Sequence, residues 1–266
     1  AAGQGRRMKA GVNKVFLELG GRPMLVRALL TFSACSAVGE LIVAAAADEV
    51  DFLRRALDKV PGLKPWKVTA GGEERQYSVF NALNEVSPEA QLILVHDAAR
   101  PLVTGEVIER VIEAARESGA AIAAVREKNT VKVVGDDGFV QATPDRATLW
   151  EVQTPQGFRR DILLRAHFRA TEEGFLGTDD AALVERLGEP VRVAEGDYRN
   201  IKVTTPEDLL LVEAFLRGEI VARAKAGLSE AKEDMAEAAR ELKTTVAGWA
   251  EKAGAACRRV EEELRR

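Results

Sequence analysis

The chain opens on Ala1-Ala2-Gly3-Gln4-Gly5-Arg6-Arg7-Met8, and Lys14 follows after Asn13. Two glycines one residue apart let backbone N–H groups come close to an anion, because no Cβ stands in the way. Arg7 offers a planar fork of donors that matches phosphate oxygens, and Lys14 adds a compact charge on a flexible stem. These are parts for holding a polyphosphate and offsetting charge that moves across it. The stretch is not a P-loop, since Gly-Lys-Ser/Thr is absent, and Met8 stands where a dinucleotide fingerprint has its third glycine. The bland alternative for Gly-x-Gly alone is a tight turn. Two further polar clusters share the theme. Gly71-Gly72 leads into Arg75 and Ser78, and His96-Asp97-Ala98-Ala99-Arg100-Pro101 follows an apolar run. Asp97 is a carboxylate at a predicted strand end, where metals bind. His96 reads as structural, Arg100 as a brace of its loop, and His167 as neutral scaffolding on a helix.

Positioning these groups falls to alternating strands and helices. Met24, Leu25, Ala28, Leu29 and Phe32 recur at helical spacing behind Pro23. Leu41–Ala46 is a short continuous apolar run, the mark of a strand buried on both faces. Asp48 is expected to cap a helix to about Val60. Trp66–Ala70 reads as a strand and Gln76–Val86 as a helix. Leu92–Val95 is the clearest buried strand, followed by a helix over Thr104–Glu117 and a buried run over Ala120–Val125. That rhythm predicts a parallel α/β sheet, whose ligands sit at the carboxyl ends of the strands. The rhythm then changes. Thr130–Val134 and Phe139–Ala142 flank Gly135-Asp136-Asp137-Gly138, which predicts a hairpin or arm over about 128–152. Helices are expected over Asp161–Thr171 and Thr178–Leu187, the latter capped by Thr178, with a strand at Val191–Ala194. Thr205-Pro206-Glu207-Asp208 is a strong helix start.

With 266 residues, 46% hydrophobic, the chain can bury a substantial core. A net charge of −4 gives no global attraction for nucleic acid. Cys35 and Cys257 are the only cysteines, which is neither a disulfide framework nor a zinc spacing, so a reducing cytoplasm is expected. No apolar run reaches the roughly 18–20 residues of a membrane span. A phosphate loop of this type normally follows a buried strand, and none precedes Ala1, so the domain is expected to be missing its first strand.

Taken in order, Ala1–Met8 with Lys14, Gly71-Gly72 with Arg75 and Ser78, His96–Pro101, Thr154-Pro155-Gln156, and Asn200-Ile201-Lys202-Val203-Thr204-Thr205-Pro206-Glu207-Asp208 resemble the 2-C-methyl-D-erythritol 4-phosphate cytidylyltransferase family. The resemblance covers about residues 1–217. It implies a Rossmann-like, mostly parallel sheet with helices on both faces and a protruding β-arm that embraces the partner subunit of a homodimer. It implies transfer of a cytidylyl group from CTP to methylerythritol phosphate, with release of pyrophosphate and use of Mg²⁺. By position, Arg7 and Lys14 would stabilise the transition state. Arg146 and Lys202 would place the second substrate, Arg146 in the neighbouring subunit's site. Asp97 would hold Mg²⁺. Ala1, Ala2, Gly3, Gly72 and Ser78 would contact CTP, and Arg75, Ala98 and Arg100 complete the implied binding set. Thr130 and Thr154 would touch the second substrate. Two departures stand out: Asn13 replaces a common proline, and Arg199 puts a positive charge where an acidic residue is common, beside Lys202. A ribitol 5-phosphate cytidylyltransferase is the rival within this chemistry, and a non-catalytic nucleotide-binding scaffold is the rival outside it.

The segment 218–266 is not explained by the resemblance. Leu228, Ala231, Met235, Ala238, Leu242, Val246, Trp249 and Ala253 recur in steps of three and four, which predicts a one-stripe amphipathic C-terminal helix. The stripe is alanine-heavy, which fits a solvated or loosely docked helix. Helix-mediated self-association or a partner for this tail is the sharper alternative.

Overall fold

The computed structural model describes residues 14–218. After a 3-10 turn at Lys14–Phe16, a short ladder pairs β1 (Glu18–Leu19) with β2 (Arg22–Pro23). Then come α1 (Met24–Ala34), β3 (Leu41–Ala45), α2 (Val50–Leu57), β4 (Trp66–Ala70), α3 (Arg75–Leu83), β5 (Leu92–Val95), α4 (Gly105–Ser118) and β6 (Ala120–Arg126). An arm carries β7 (Val133–Val134) and β8 (Val140–Ala142). The described order ends with β9 (Trp150–Arg159), α5 (Arg160–Glu172), α6 (Asp180–Arg186), β10 (Arg192–Glu195) and α7 (Pro206–Arg217).

The chain divides into two compact units, Ala1–Glu213 and Ala214–Arg266. Every strand among the described residues lies in the first. Of the second, only the end of α7 and Gly218 are described, so the expected amphipathic tail lies outside the described residues. Among the described residues, no helix is long and apolar enough to cross a membrane.

One sheet runs in the order β10-β6-β9-β5. Strand β10 is parallel to β6, whereas β9 runs antiparallel to both β6 and β5. Strands β3 and β4 form a separate parallel pair. The strand β9 is an addition to the sequence reading, which passed over it because Gln153-Thr154-Pro155-Gln156 looks like loop. Proline is normally excluded from a central strand. Here it sits where the β6–β9 register shifts between Ile122 and Ala124, so no ladder bond is asked of its nitrogen.

Side-chain alternation divides the core into two faces. On β6, Ala121 and Ala123 pack with α1, α2 and α4, while Ala120 and Ile122 pack with α5 and α6. On β5, Leu92 and Leu94 join the first group, and Ile93 and Val95 join the second. This period of two is what a strand covered on both faces requires. Gly157 of β9 lets α4 come close: a Cβ there would lie 2.9 Å from Leu94 Cδ2 and Val111 Cγ1.

Two expected caps are corrected. Asp48 falls inside a 3-10 turn, Ala47–Glu49, and Glu49 leads α2 with helical backbone and no side-chain cap. Asp179, not Thr178, caps α6, accepting from the Ala182 N–H at 2.9 Å. Its backbone is extended and its carboxylate also suits the positive end of the helix. The predicted start of α7 is found: Asp208 accepts from the Thr204 and Thr205 N–H groups at 2.7 and 2.8 Å.

No hydrogen bond joins β3 to β5 among the described residues, and a cavity of about 1420 Å³ lies between them.

Candidate active site

The sheet's carboxyl edge gathers the polar residues. Strand β4 ends at Ala70 and hands over to Gly71-Gly72, β5 ends at Val95 and hands over to His96-Asp97, and Lys202 comes from the segment after β10. Gly72 can only be glycine at this point, since a Cβ would meet Tyr77 Cβ at 2.4 Å. Ser78, in the first turns of α3, accepts from the Gly72 N–H at 3.0 Å and so fixes the loop. Gly72, Arg75, Ser78, Asp97, Ala98 and Lys202 all line the cavity, which opens between the strand ends.

Asp97 is the centre of the cluster. Lys202 Nζ lies 2.8 Å from its Oδ2, and Arg75 Nε lies 3.5 Å from its Oδ1. Arg100 Nε stands at 4.0 Å. Burial alone would raise the Asp97 pKa, but the charges of Lys202 and Arg75 overturn that and hold the carboxyl well below the usual range. Asp97 is therefore an anion ringed by cations across neutral pH. The carboxylate and Lys202 are gathered from positions 105 residues apart in sequence, as the resemblance implied for one site.

Beneath Asp97 a chain of hydrogen bonds fixes the backbone. The Asp97 N–H donates to Thr154 Oγ1 at 3.0 Å, and Thr154 Oγ1 lies 3.0 Å from His96 Nδ1. His96 Nε2 reaches the Arg100 carbonyl at 3.1 Å. That carbonyl can only accept, so Nε2 carries the proton and Nδ1 accepts from the threonine. Burial pushes the His96 pKa down to about 4, so this ring is neutral and structural, as expected. Arg100 braces the site from below, donating to the Asn200 carbonyl at 2.7 Å and the Val152 carbonyl at 3.2 Å. Asn200 in turn donates to the Thr154 carbonyl at 2.8 Å. Thr154 is buried with its hydroxyl bonded inside the chain, so the structure makes it a strut.

Sequence reasoning missed the anchor of Arg75. Its Nη1 lies 2.6 Å from Asp180 Oδ2, and Asp180 Oδ1 lies 2.9 Å from His167 Nε2. Asp180 and His167 are both buried, at 1% and 0% exposed. Burial would raise the Asp180 pKa, and the hydrogen bond from His167 and the charge of Arg75 bring it below its usual value. Thus α6 offers one aspartate to its own N-terminus and turns the next inward to hold a site arginine. The only signal was the doubled Asp179-Asp180, which also fits two solvated acids of a first turn. His167 is scaffolding, but scaffolding tied to the site through two links.

Other predicted residues stand apart. Arg146 lies on the arm in a 3-10 turn, with Nη1 2.9 Å from the Lys128 carbonyl. Thr130 is exposed on the same arm. No described contact ties either to Asp97. Arg199 does not compete with Lys202, because its guanidinium pairs with Asp197 at 2.6 Å. Ala1, Ala2, Gly3 and Arg7 lie outside the described residues, as does the side chain of Lys14. Among the described residues, no group of three or more His, Cys, Asp or Glu could hold a metal ion. Any cation at Asp97 would take most of its ligands from elsewhere.

Comparison with known proteins places this arrangement. A family model described as 2-C-methyl-D-erythritol 4-phosphate cytidylyltransferase matches residues 1–218. A relative of that name from Caldanaerobacter subterraneus is 46% identical over 218 residues, covering 82% of this chain and 96% of the relative. Another from Bacillus cereus is 50% identical over 216 residues, covering 81% and 95%. The crystal structure of a 4-diphosphocytidyl-2C-methyl-D-erythritol synthase from Anaerococcus prevotii matches with TM-score 0.72 and 33% identity, covering 76% of this chain and 93% of that one. The Thermus thermophilus 2-C-methyl-D-erythritol 4-phosphate cytidylyltransferase matches with TM-score 0.66 and 36% identity, covering 77% and 94%.

Proposed function

The chain belongs to the 2-C-methyl-D-erythritol 4-phosphate cytidylyltransferase family, and on that premise we propose that the two substrates meet above Asp97. The activity is transfer of the cytidylyl group of CTP to 2-C-methyl-D-erythritol 4-phosphate. An oxygen of the methylerythritol phosphate attacks the α-phosphorus of CTP, the bond to the β-phosphate breaks, and pyrophosphate leaves with its electron pair. Two anions must be brought together, so cations have to offset their repulsion and the charge on the leaving group. The observation that carries the assignment of place is the 2.8 Å approach of Lys202 to Asp97, with Arg75 on the other carboxylate oxygen.

In this reading Lys202 steers the methylerythritol phosphate. Arg75 and the Gly72 loop, held by Ser78, take part in seating CTP. Arg7 and Lys14 act at the α-phosphate. Asp97 suits Mg²⁺, which proteins usually hold through one or two carboxylates together with substrate phosphates. Asp97 would hold such an ion, and the chemistry it would supply there is neutralisation of charge on the triphosphate. The arm is the dimer contact of this proposal: Phe139 is 74% exposed and Val140 57%, and exposed Arg146 would serve a neighbouring subunit's site. Buried Cys35 fits a reducing compartment such as the cytoplasm.

The test is pyrophosphate release from CTP with Mg²⁺ and either methylerythritol phosphate or ribitol 5-phosphate. It is run on the 266-residue chain, with CTP binding and thermal unfolding followed alongside, so that a folding defect and a chemical one are told apart. Release with methylerythritol phosphate alone is expected. Faster release with ribitol 5-phosphate overturns the choice of alcohol, and CTP binding by the folded chain without release from either alcohol favours the scaffold reading.

A further inference from the structure

Lys202 stands where regular structure gives it no support. Residues 196–205, between β10 and α7, contain neither strand nor helix. The lysine side chain is 44% exposed, and an ion pair that is open to water is too weak to hold so long a side chain by itself. The backbone beneath therefore sets where the lysine stands, and two buried side chains hold that backbone. Gln153 Nε2 donates to the Asp197 carbonyl at 2.9 Å, and its Oε1 accepts from the Asp197 N–H at 3.3 Å. The Asn200 N–H turns back onto the Asp197 carbonyl at 2.8 Å. Asn200 Nδ2 then donates to the Thr154 carbonyl at 2.8 Å and to Gln153 Oε1 at 3.3 Å. Both hydrogens of that amide are used, as a buried donor requires. Asn200 is 0% exposed and Gln153 2%. On the other side of Lys202, the Val203 N–H donates to the Ala99 carbonyl at 2.8 Å.

The acceptor for Asn200 exists because the ladder slips. The register of β9 on β6 passes from Gln156 opposite Ile122 to Val152 opposite Ala124, so Gln153, Thr154 and Pro155 have no partner on β6. The Thr154 carbonyl is thereby open to a side chain. The hydroxyl oxygen of the same residue accepts from the Asp97 N–H at 3.0 Å. Thr154 is thus a common reference: one of its oxygens locates Asp97, and the other locates Asn200, two residues before Lys202. We propose that Asn200, held by Gln153, is the positioning residue of Lys202 and fixes the lysine against Asp97 through Thr154. The proposal rests on the reading in which Lys202 steers the methylerythritol phosphate, and it names two residues that act through that lysine. Aspartate cannot take the place of the asparagine, because a carboxylate facing two acceptor oxygens has no N–H to give. Serine has a donor but lacks the reach for both.

The experiment is a double-mutant cycle on the full chain. Asn200→Ser, Lys202→Ala and the pair together are assayed by pyrophosphate release, with rates taken per folded molecule from thermal unfolding run alongside. The Asn200 carbonyl keeps its bond from Arg100 in every variant. Gln153→Met is the milder change, read in place of Asn200→Ser if that variant does not fold, and it should move the same quantities the same way by a smaller factor. Asn200→Ser is expected to lower kcat/KM for methylerythritol phosphate about 10-fold and to leave KM for CTP within about twofold. In the Lys202→Ala background the same change should cost less than about twofold, because nothing is left to position. A second readout needs no catalysis. Acylation of Lys202 by an activated ester, followed by mass spectrometry against exposed Lys59, should quicken about 3-fold or more in Asn200→Ser, because the amine spends more time away from Asp97. Equal losses in the two backgrounds overturn the proposal, as does an unchanged rate of acylation. If Lys202→Ala itself leaves pyrophosphate release unchanged, the role given to Lys202 in the cytidylyltransferase reading falls, while acylation still decides whether Asn200 holds the ion pair.

Discussion

Asp97 and Arg146 are both expected to meet the substrates, and the molecule holds them in opposite ways. Asp97 is mostly buried, with 16% of its side chain exposed, and is approached by Lys202, Arg75 and Arg100. Its own N–H is pinned through Thr154 to a buried histidine. Arg146 is exposed, and its side chain has a single described hydrogen bond, to a carbonyl of its own arm. The difference separates what one chain can preorganise from what it offers outward. A site floor is set by folding, because burying its charges requires partners at fixed distances. An arm residue is set by whatever packs against the arm.

The largest expected effect breaks the floor at its working end. Lys202→Ala removes the cation nearest Asp97 and is expected to lower pyrophosphate release about 10²–10³-fold, as loss of one preorganised donor does elsewhere. Lys202 is 44% exposed but Asp97 only 16%, and Arg75 remains beside the carboxylate, so Tm should fall by only a few degrees. A large loss of Tm with activity per folded molecule intact would make Lys202 a structural residue.

Breaking the floor from beneath comes next. Asp180→Asn keeps the shape and removes the buried charge between His167 and Arg75. The expected cost is about 2–3 kcal/mol of stability, at or below the low end for a broken buried pair because Arg75 is 34% exposed. Arg75 also loses its anchor, so KM for CTP should rise while KM for methylerythritol phosphate stays within about twofold. Equal change in both constants would make Asp180 a matter of folding alone.

How much of this was readable differs between the two regions in the same way. Asp97 could be found from sequence because an apolar run before it marks a strand end, whereas Lys202 came from the resemblance of the stretch Asn200–Asp208 to a known family. Asp180 could not, because its role depends on α6 packing against α3 and α5, a contact across 105 residues from Arg75. Strand β9 was hidden for a related reason. Gln153, Thr154 and Gln156 are buried polar groups satisfied by partners far away in the chain, at Asp197, Asp97 and Asp179. Read alone, they look like solvent-facing loop. The parallel strands were legible because burial on both faces leaves an unbroken apolar run, which needs no knowledge of partners.

The histidine link supplies a pH test of the same floor. His96 has its pKa lowered to about 4 from an unfolded value near 6.5. A depressed value means that the unfolded chain takes up the proton first as pH falls. The contribution is therefore fully present above about pH 6.5 and is lost as pH drops toward 4. Stability at pH 5 should be about 2 kcal/mol lower than at pH 7.5 from this residue. Comparing His96→Gln with the parent by denaturant unfolding at both pH values checks it. The variant, less stable at pH 7.5, should show a drop smaller by that amount, and an unchanged drop would mean that other groups govern the acid limb.

The smallest change in the folded molecule is expected at the arm, where the comparison is at its sharpest. Arg146→Ala should leave Tm within about 1 °C, since an exposed side chain with one hydrogen bond contributes little to stability. KM for methylerythritol phosphate should rise about 10-fold if its guanidinium meets that phosphate. The two regions can then be tested against each other. In a twofold dimer where each arm serves the other subunit's site, a subunit bearing Lys202→Ala and one bearing Arg146→Ala would form a mixed dimer with one site carrying both losses and one carrying neither. Assayed at methylerythritol phosphate well below KM, where each variant alone is slow, the two variants unfolded and refolded together at equal amounts should therefore reach roughly a quarter of parental activity, because about half of the dimers are mixed. If activity stays at the mean of the two variants, Arg146 acts within its own subunit, and the arm would have to fold back onto Asp97 to do so.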